Sequence, residues 1–159
     1  MAAIELNAAQ ASAVKVTWGM VEADLKQHGV NVFMALFTEH PHTQQLFKRM
    51  KDTPLDELAK TPKLRAHAFG FMKELSGLVE NIDSPEELMC ALQANARRHQ
   101  RRGVTPHDYE LTLGLFHGYL KKTLGEAFTE DASKGWEIVA GAIATTIKNE
   151  YDAIQQEDK

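Results

Sequence analysis

The chain has 159 residues, 43% of them hydrophobic and 25% charged, with a formal net charge of −4. That length fits one domain that buries most of the surface its unfolded form exposes. The acidic balance excludes a general attraction to nucleic-acid backbones or anionic membranes. One cysteine, Cys90, cannot close an internal disulfide, and no apolar run reaches the roughly 18 residues of a membrane span. The start Met1-Ala2-Ala3-Ile4-Glu5 carries neither the basic and apolar regions of a signal peptide nor a myristoylation glycine. The expectation is a single domain over residues 1–159 in a reducing cytoplasm, with no membrane or nucleic-acid partner.

In chain order, Val14, Trp18, Val21 and Leu25 recur at three- and four-residue steps after a plausible cap at Asn7, which predicts a first helix. Val32, Phe33, Leu36 and Phe37 form a second stripe, beginning near His28-Gly29 and ending before Pro41. A short helical stretch from Pro41 to Phe47 follows, then a polar segment from Lys48 to Lys60 with room for one small helix. Leu64, Ala68, Phe71, Leu75 and Leu78 predict a long amphipathic helix ending near Asn81. Leu88, Leu92, Asn95, Ala96 and His99 mark the next, stopped by Gly103. Tyr109, Leu113, Phe116 and Leu120 carry another, and the last runs from about Asp131 to Tyr151. No segment alternates as a half-buried strand does.

The five prolines, Pro41, Pro54, Pro62, Pro85 and Pro106, each stand where a helix can open. Thr53, Thr61, Ser84 and Thr105 directly precede four of them. A hydroxyl caps free backbone N–H groups, and proline supplies the helical φ where its missing N–H costs nothing. A chain whose prolines open helices and never interrupt one reads as all-α.

Of the seven histidines, His67 and His99 stand on or beside the apolar faces of their own long helices. A buried imidazole left unpaired costs about 1–3 kcal/mol, so each needs a partner. A structural zinc site would call for about four ligands, and neither helix supplies them at ligand spacing. Two readings stay open on spacing alone: core histidines bonded to backbone carbonyls, or a slot for a flat, iron-centred cofactor that needs one imidazole or one on each face.

From Trp18 to Tyr151 the sequence resembles the globin family, particularly invertebrate intracellular globins. Leu36-Phe37-Thr38-Glu39-His40-Pro41, with Phe47 six residues beyond the proline, is similar to the family's second-to-third helix junction. Leu64-Arg65-Ala66-His67 is similar to the distal helix, and Ala96-Arg97-Arg98-His99 followed by Gly103-Val104 to the proximal helix and its corner. The resemblance implies an all-α globin fold of seven to eight helices enclosing a haem pocket. It implies haem b as cofactor, with His99 as proximal iron ligand, His67 as distal residue and Phe47 flat on the porphyrin. Gly29 and Ala68 fall where the second helix crosses closely over the distal helix. Phe33 and Phe71 take distal positions often held by leucine and valine. Met50 stands where a second phenylalanine is frequent, and Asn95 replaces a usual leucine one turn before His99.

The cofactor-contacting set expected from this resemblance is Phe33, Phe47, Met50, His67, Phe71, Asn95, His99 and Val104. Arg49, Arg98 and Arg102 are candidates to pair with the haem propionates, or simply form a solvated basic face. The function implied is reversible binding of dioxygen, with other diatomic gases as further ligands, for storage or facilitated diffusion rather than as an enzyme. The alternatives are haem redox chemistry, such as nitric oxide dioxygenation or peroxidase activity, and gas sensing through a partner. Crowding by Phe33 and Phe71 leaves a second role open to His67, as sixth iron ligand when gas is absent. A monomer and a homodimer are equally compatible with the sequence.

Overall fold

The computed structural model describes residues 4–159. Residues 1–3, on which the reading of the chain's start partly rests, lie outside the described residues. Those described form seven α-helices and two short 3-10 segments, with no strand. The helices are α1 (Ala8–Glu22), α2 (Leu25–Glu39), α3 (Leu55–Leu58), α4 (Pro62–Glu80), α5 (Pro85–Gln100), α6 (Pro106–Leu124) and α7 (Glu130–Glu157). The 3-10 segments span Pro41–Leu46 and Gly125–Ala127.

Local chemistry accounts for most boundaries. Asn7 and Gln10 form a reciprocal capping box at the start of α1, and Thr105 and Asp108 do the same for α6. Thr61 caps α4 and Thr129 caps α7 through their side chains. Pro62, Pro85 and Pro106 each take the first helical position. At Gly103 the chain adopts φ +83°, a left-handed conformation that glycine enters without steric cost, and so turns out of α5.

Four expectations need correction. Leu25 belongs to α2 and not to the first helix, because the Asp24 carboxylate accepts from the Gln27 N–H and starts a new helix four residues earlier than the apolar stripe suggests. Ser84 makes no side-chain cap on α5, and Pro54 sits one position before α3 instead of opening it. Finally, α7 continues past Tyr151 to Glu157, where its last turns meet Arg97 of α5.

Helix α4 is seated on α2, whereas α5, α1 and α6 pack on α7. Two glycines permit the closest approaches. A Cβ added to Gly29 would lie 2.9 Å from both the Ala68 carbonyl oxygen and Met72 Cγ. One added to Gly135 would lie 2.7 Å from Val14 Cγ2. The expected close crossing at Gly29 and Ala68 is thus present. One buried cluster is built around Trp18, Phe116 and Trp136, whose rings contact one another. Within it the Trp18 indole donates to Ser76 Oγ and the Trp136 indole to Thr17 Oγ1, so neither polar tip is stranded. A second cluster joins α2, α3 and α4 through Val30, Phe33, Leu36, Phe37, Leu58, Leu64 and Ala68.

The crossing makes opposite glycine substitutions separable. Gly29→Ala forces the α2 and α4 backbones apart and is expected to cost about 1–3 kcal/mol in urea unfolding. Gly118→Ala, mid-helix with nothing within 4 Å of the new methyl, should instead stabilise by about 0.5–1 kcal/mol. Equal effects at the two positions would contradict the close crossing.

Candidate functional site

Between the two buried clusters lies a cavity of about 440 Å³, within the roughly 300–1,000 Å³ range of cofactor and small-molecule sites. Its walls come from separate elements. Phe33 projects from α2 and Phe47 from the end of the first 3-10 segment. His67 and Phe71 stand one turn apart on α4, and Leu92, Asn95 and His99 on α5. Val104 follows the α5 corner, Tyr109 and Phe116 come from α6, and Ile143 from α7. Seven of the eight residues expected at the cofactor therefore share one wall-to-wall space.

Met50 does not. It is buried beside Phe33, Phe37 and Leu58 in the second cluster and is absent from the cavity wall. The reason is local: the buried Gln44 amide donates to the Met50 and Thr53 carbonyls, at 2.9 and 2.8 Å, and folds this polar loop back on itself. Arg49 is exposed and also lies off the wall, whereas Arg98 and Arg102 line it.

The two imidazoles are held differently. At His99, Nδ1 lies 2.8 Å from the Asn95 carbonyl oxygen. A carbonyl only accepts, so Nδ1 carries the proton and Nε2 is left with its lone pair. Aromatic edges hold His67 instead, with the Phe33 and Phe47 ring centroids 5.0 and 4.8 Å away and nearly perpendicular to it. It makes no hydrogen bond to a described residue. Since no fully buried side-chain nitrogen or oxygen there lacks a partner, the free ring nitrogens of His67 and Nε2 of His99 face open space. Burial lowers the pKa of His67 below 6.5, helped by His99 and Arg102 nearby. Burial likewise lowers that of His99. Both are neutral at pH 7, the form that ligates metals.

Several lining residues escaped sequence reasoning. Glu74 accepts from Asn95 Nδ2 and, at 2.7 Å, from Arg98, so it joins α4 to α5 across the cavity edge. Its spacing offered a signal, because His67, Phe71, Glu74 and Leu78 share one helical stripe. Tyr109 appeared only as a core residue, yet its hydroxyl donates to Asn95 Oδ1 and its ring lies 5.6 Å from that of His99. Burial pushes the Tyr109 pKa far up, so this hydroxyl stays protonated. Asp108 lines the same space and pairs with His42 at 3.0 Å. Burial pushes its carboxyl up, but hydrogen bonds from the Thr105 N–H, His42 and the Thr105 hydroxyl outweigh that and leave it below the ordinary range.

What the site can hold follows from its donors. Among the described residues, no three His, Cys, Asp or Glu side chains converge as a metal cage. A metal here would need most of its ligands from a group it arrives in. An apolar slot between two neutral imidazoles, with arginines at its edge, fits a flat metal-centred macrocycle. The structure is thus an all-helical protein whose cavity lining fits a porphyrin.

Comparison with known sequences agrees. The family model described as Globin matches residues 30–147. A "Globin" of Nerita albicilla is 28% identical over 145 residues, covering 91% of this chain and 92% of that one. The "Globin-2 B chain" of Anadara inaequivalvis is 25% identical over 145 residues, covering 91% and 95%. "Cytoglobin-2" of Danio rerio is 27% identical over 143 residues, covering 89% and 80%. The chain belongs to the globin family, whose members bind haem and, through it, diatomic gases. No helix among the described residues is long and apolar enough to cross a membrane.

The lowered histidine pKa values predict how the haem-free protein responds to acid. In the unfolded chain both imidazoles take up protons as pH falls through about 6.5. The folded state resists this, so it holds its full stability above that pH and loses it progressively below. Its urea midpoint should be level above about pH 7 and decline below about 6.5. His67→Leu/His99→Leu should remove that part of the decline. An unchanged pH profile in the double variant would contradict the buried, neutral assignment.

Proposed function

We propose that this chain is a haem-b globin that binds dioxygen reversibly, for storage or facilitated diffusion, with His99 as iron ligand and His67 as distal residue. The observation that carries the reading is the state of His99: Nδ1 is committed to the Asn95 carbonyl, which leaves the Nε2 lone pair for the cavity. Haem b, when bound, would supply a ferrous iron able to bind a diatomic gas reversibly, and His99 is the residue that would hold it.

The remaining work falls to the chain. The Asn95 carbonyl fixes the His99 ring and raises its basicity as a ligand. His67 offers one N–H toward a polarised gas molecule, and a hydrogen bond to such an acceptor is worth about 1.5–3 kcal/mol. The edges of Phe33 and Phe47 hold that ring in place, and Phe33 and Phe71, 5.1 Å apart, keep water from the same space. Arg98 and Arg102 would face the porphyrin carboxylates at the cavity edge.

Visible spectra of the ferric, deoxy ferrous and carbon-monoxide forms test this directly. His99→Gly should lose the ferrous haem spectrum and regain it with added imidazole. A protein offered haem that shows no Soret band with His99 intact would overturn the reading. His67→Leu should release dioxygen more readily, weakening its affinity roughly ten- to a hundredfold. The deoxy bands also decide the second role of His67: a six-coordinate spectrum that becomes five-coordinate in His67→Leu assigns it as the sixth ligand. Stable oxygenated protein supports the carrier, whereas sustained turnover of nitric oxide or peroxide with a reductant would assign the chain to redox catalysis.

A further inference from the structure

The wall beside His99 is polar where the rest of the cavity is apolar, and the donors along it run in one direction. The Glu74 carboxylate can only accept, so the Asn95 amide must present Nδ2–H to it. Asn95 Oδ1 therefore points the other way, toward Tyr109, and the phenol must donate to it. Arg98 secures the far end of the relay by donating to the second Glu74 oxygen at 2.7 Å. The same Tyr109 hydroxyl lies 3.5 Å from the Asn95 main-chain carbonyl, the group that accepts His99 Nδ1–H at 2.8 Å. One hydroxyl thus has two acceptors within reach, and only one of them matters to His99.

We infer that the Glu74–Asn95–Tyr109 relay is a positioning device that diverts the Tyr109 hydroxyl to the Asn95 side chain and so reserves the Asn95 backbone carbonyl for His99. This rests on the reading of His99 as iron ligand. An acceptor shared with a second donor is a weaker acceptor for the first. A weaker bond at Nδ1 makes the imidazole a less basic ligand at Nε2. Tyr109 is a positioning residue here, since its effect passes through the carbonyl, and Asn95 decides which way it donates.

The test is the iron–histidine stretching band in resonance Raman spectra of the ferrous holoprotein. Recording it just after photolysis of the carbon-monoxide complex keeps it independent of any ligation by His67. Asn95→Leu removes the side-chain acceptor, leaves Tyr109 only the backbone carbonyl, and is expected to move the band to lower frequency. Tyr109→Phe alone should leave the band near its wild-type position. Asn95→Leu/Tyr109→Phe should restore it, because no competing hydroxyl remains. An unmoved band in Asn95→Leu, or a double variant shifted as far as the single, would overturn the inference, since a purely structural defect would not be cured by a second substitution. Should Asn95→Leu fail to retain haem, Glu74→Ala unpins the amide from an exposed position. It should give a smaller downshift, again cancelled by Tyr109→Phe, and its absence counts against the relay equally. A missing iron–histidine band in the wild type defeats the assignment of His99 itself, whereas a band insensitive to these variants defeats only the relay.

Discussion

The site exists because the two histidine-bearing helices are anchored to different partners. Helix α4 is seated on α2 through the Gly29–Ala68 crossing, and α5 is seated on α7. Neither can close on the other without abandoning its own packing. Close-packed interiors resist such shifts, because each displaced contact forfeits dispersion and reopens surface to water. The cavity is thus the space left between two well-satisfied helix pairs, bordered by the aromatic cluster of α2 and α4 on one side and by Phe116 and Ile143 on the other.

Within that space the chemistry is divided. The side facing His67 is ruled by aromatic edges, which hold the ring and contribute no hydrogen bond. The side facing His99 carries Asn95, Tyr109, Glu74 and Arg98, each satisfied by another. The division gives the two imidazoles different surroundings: His99 is fixed through Nδ1, whereas His67 is held only by ring edges and keeps its nitrogens free. Glu74 and Arg98 stand at the exposed end of this wall, and the half-buried Asn95 and Tyr109 at its inner end each find a partner, which spares them the cost of an unpaired polar group.

Much of this was legible in the sequence, for identifiable reasons. Helix interiors followed from three- and four-residue stripes, and the starts of α4 and α6 from a capping threonine followed by proline. The boundary at Asp24 was missed because Leu25 continues the earlier stripe in phase, so the stripe itself hid a change of helix. Met50 was misplaced among cavity residues because its depth depends on Gln44, a buried amide whose partners are six and nine residues away. Resemblance to a family carries single positions well. It carries poorly what depends on pairs: Asn95 stood out as a departure from the usual leucine, but its meaning required Tyr109 and Glu74, which adjoin it only in the fold.

The far end of α7 shows the same dependence on pairing. The apolar stripe carries α7 past Tyr151 to the buried Ile154, and the helix runs on to Glu157, where Arg97 donates to both Glu157 and the buried Glu150, the latter at 2.7 Å. Directly after Glu150 on α7, the Tyr151 hydroxyl donates to the Val104 carbonyl at 2.7 Å. These two ties grip α5 two residues before His99 and the corner five residues after it. Exposed ion pairs add little stability singly, so the extension is better understood through the order it imposes. Helix α5, which carries His99, is thus held by α7 from outside the cavity. The polar relay then only has to set the hydrogen bonding of a ring whose helix is already held.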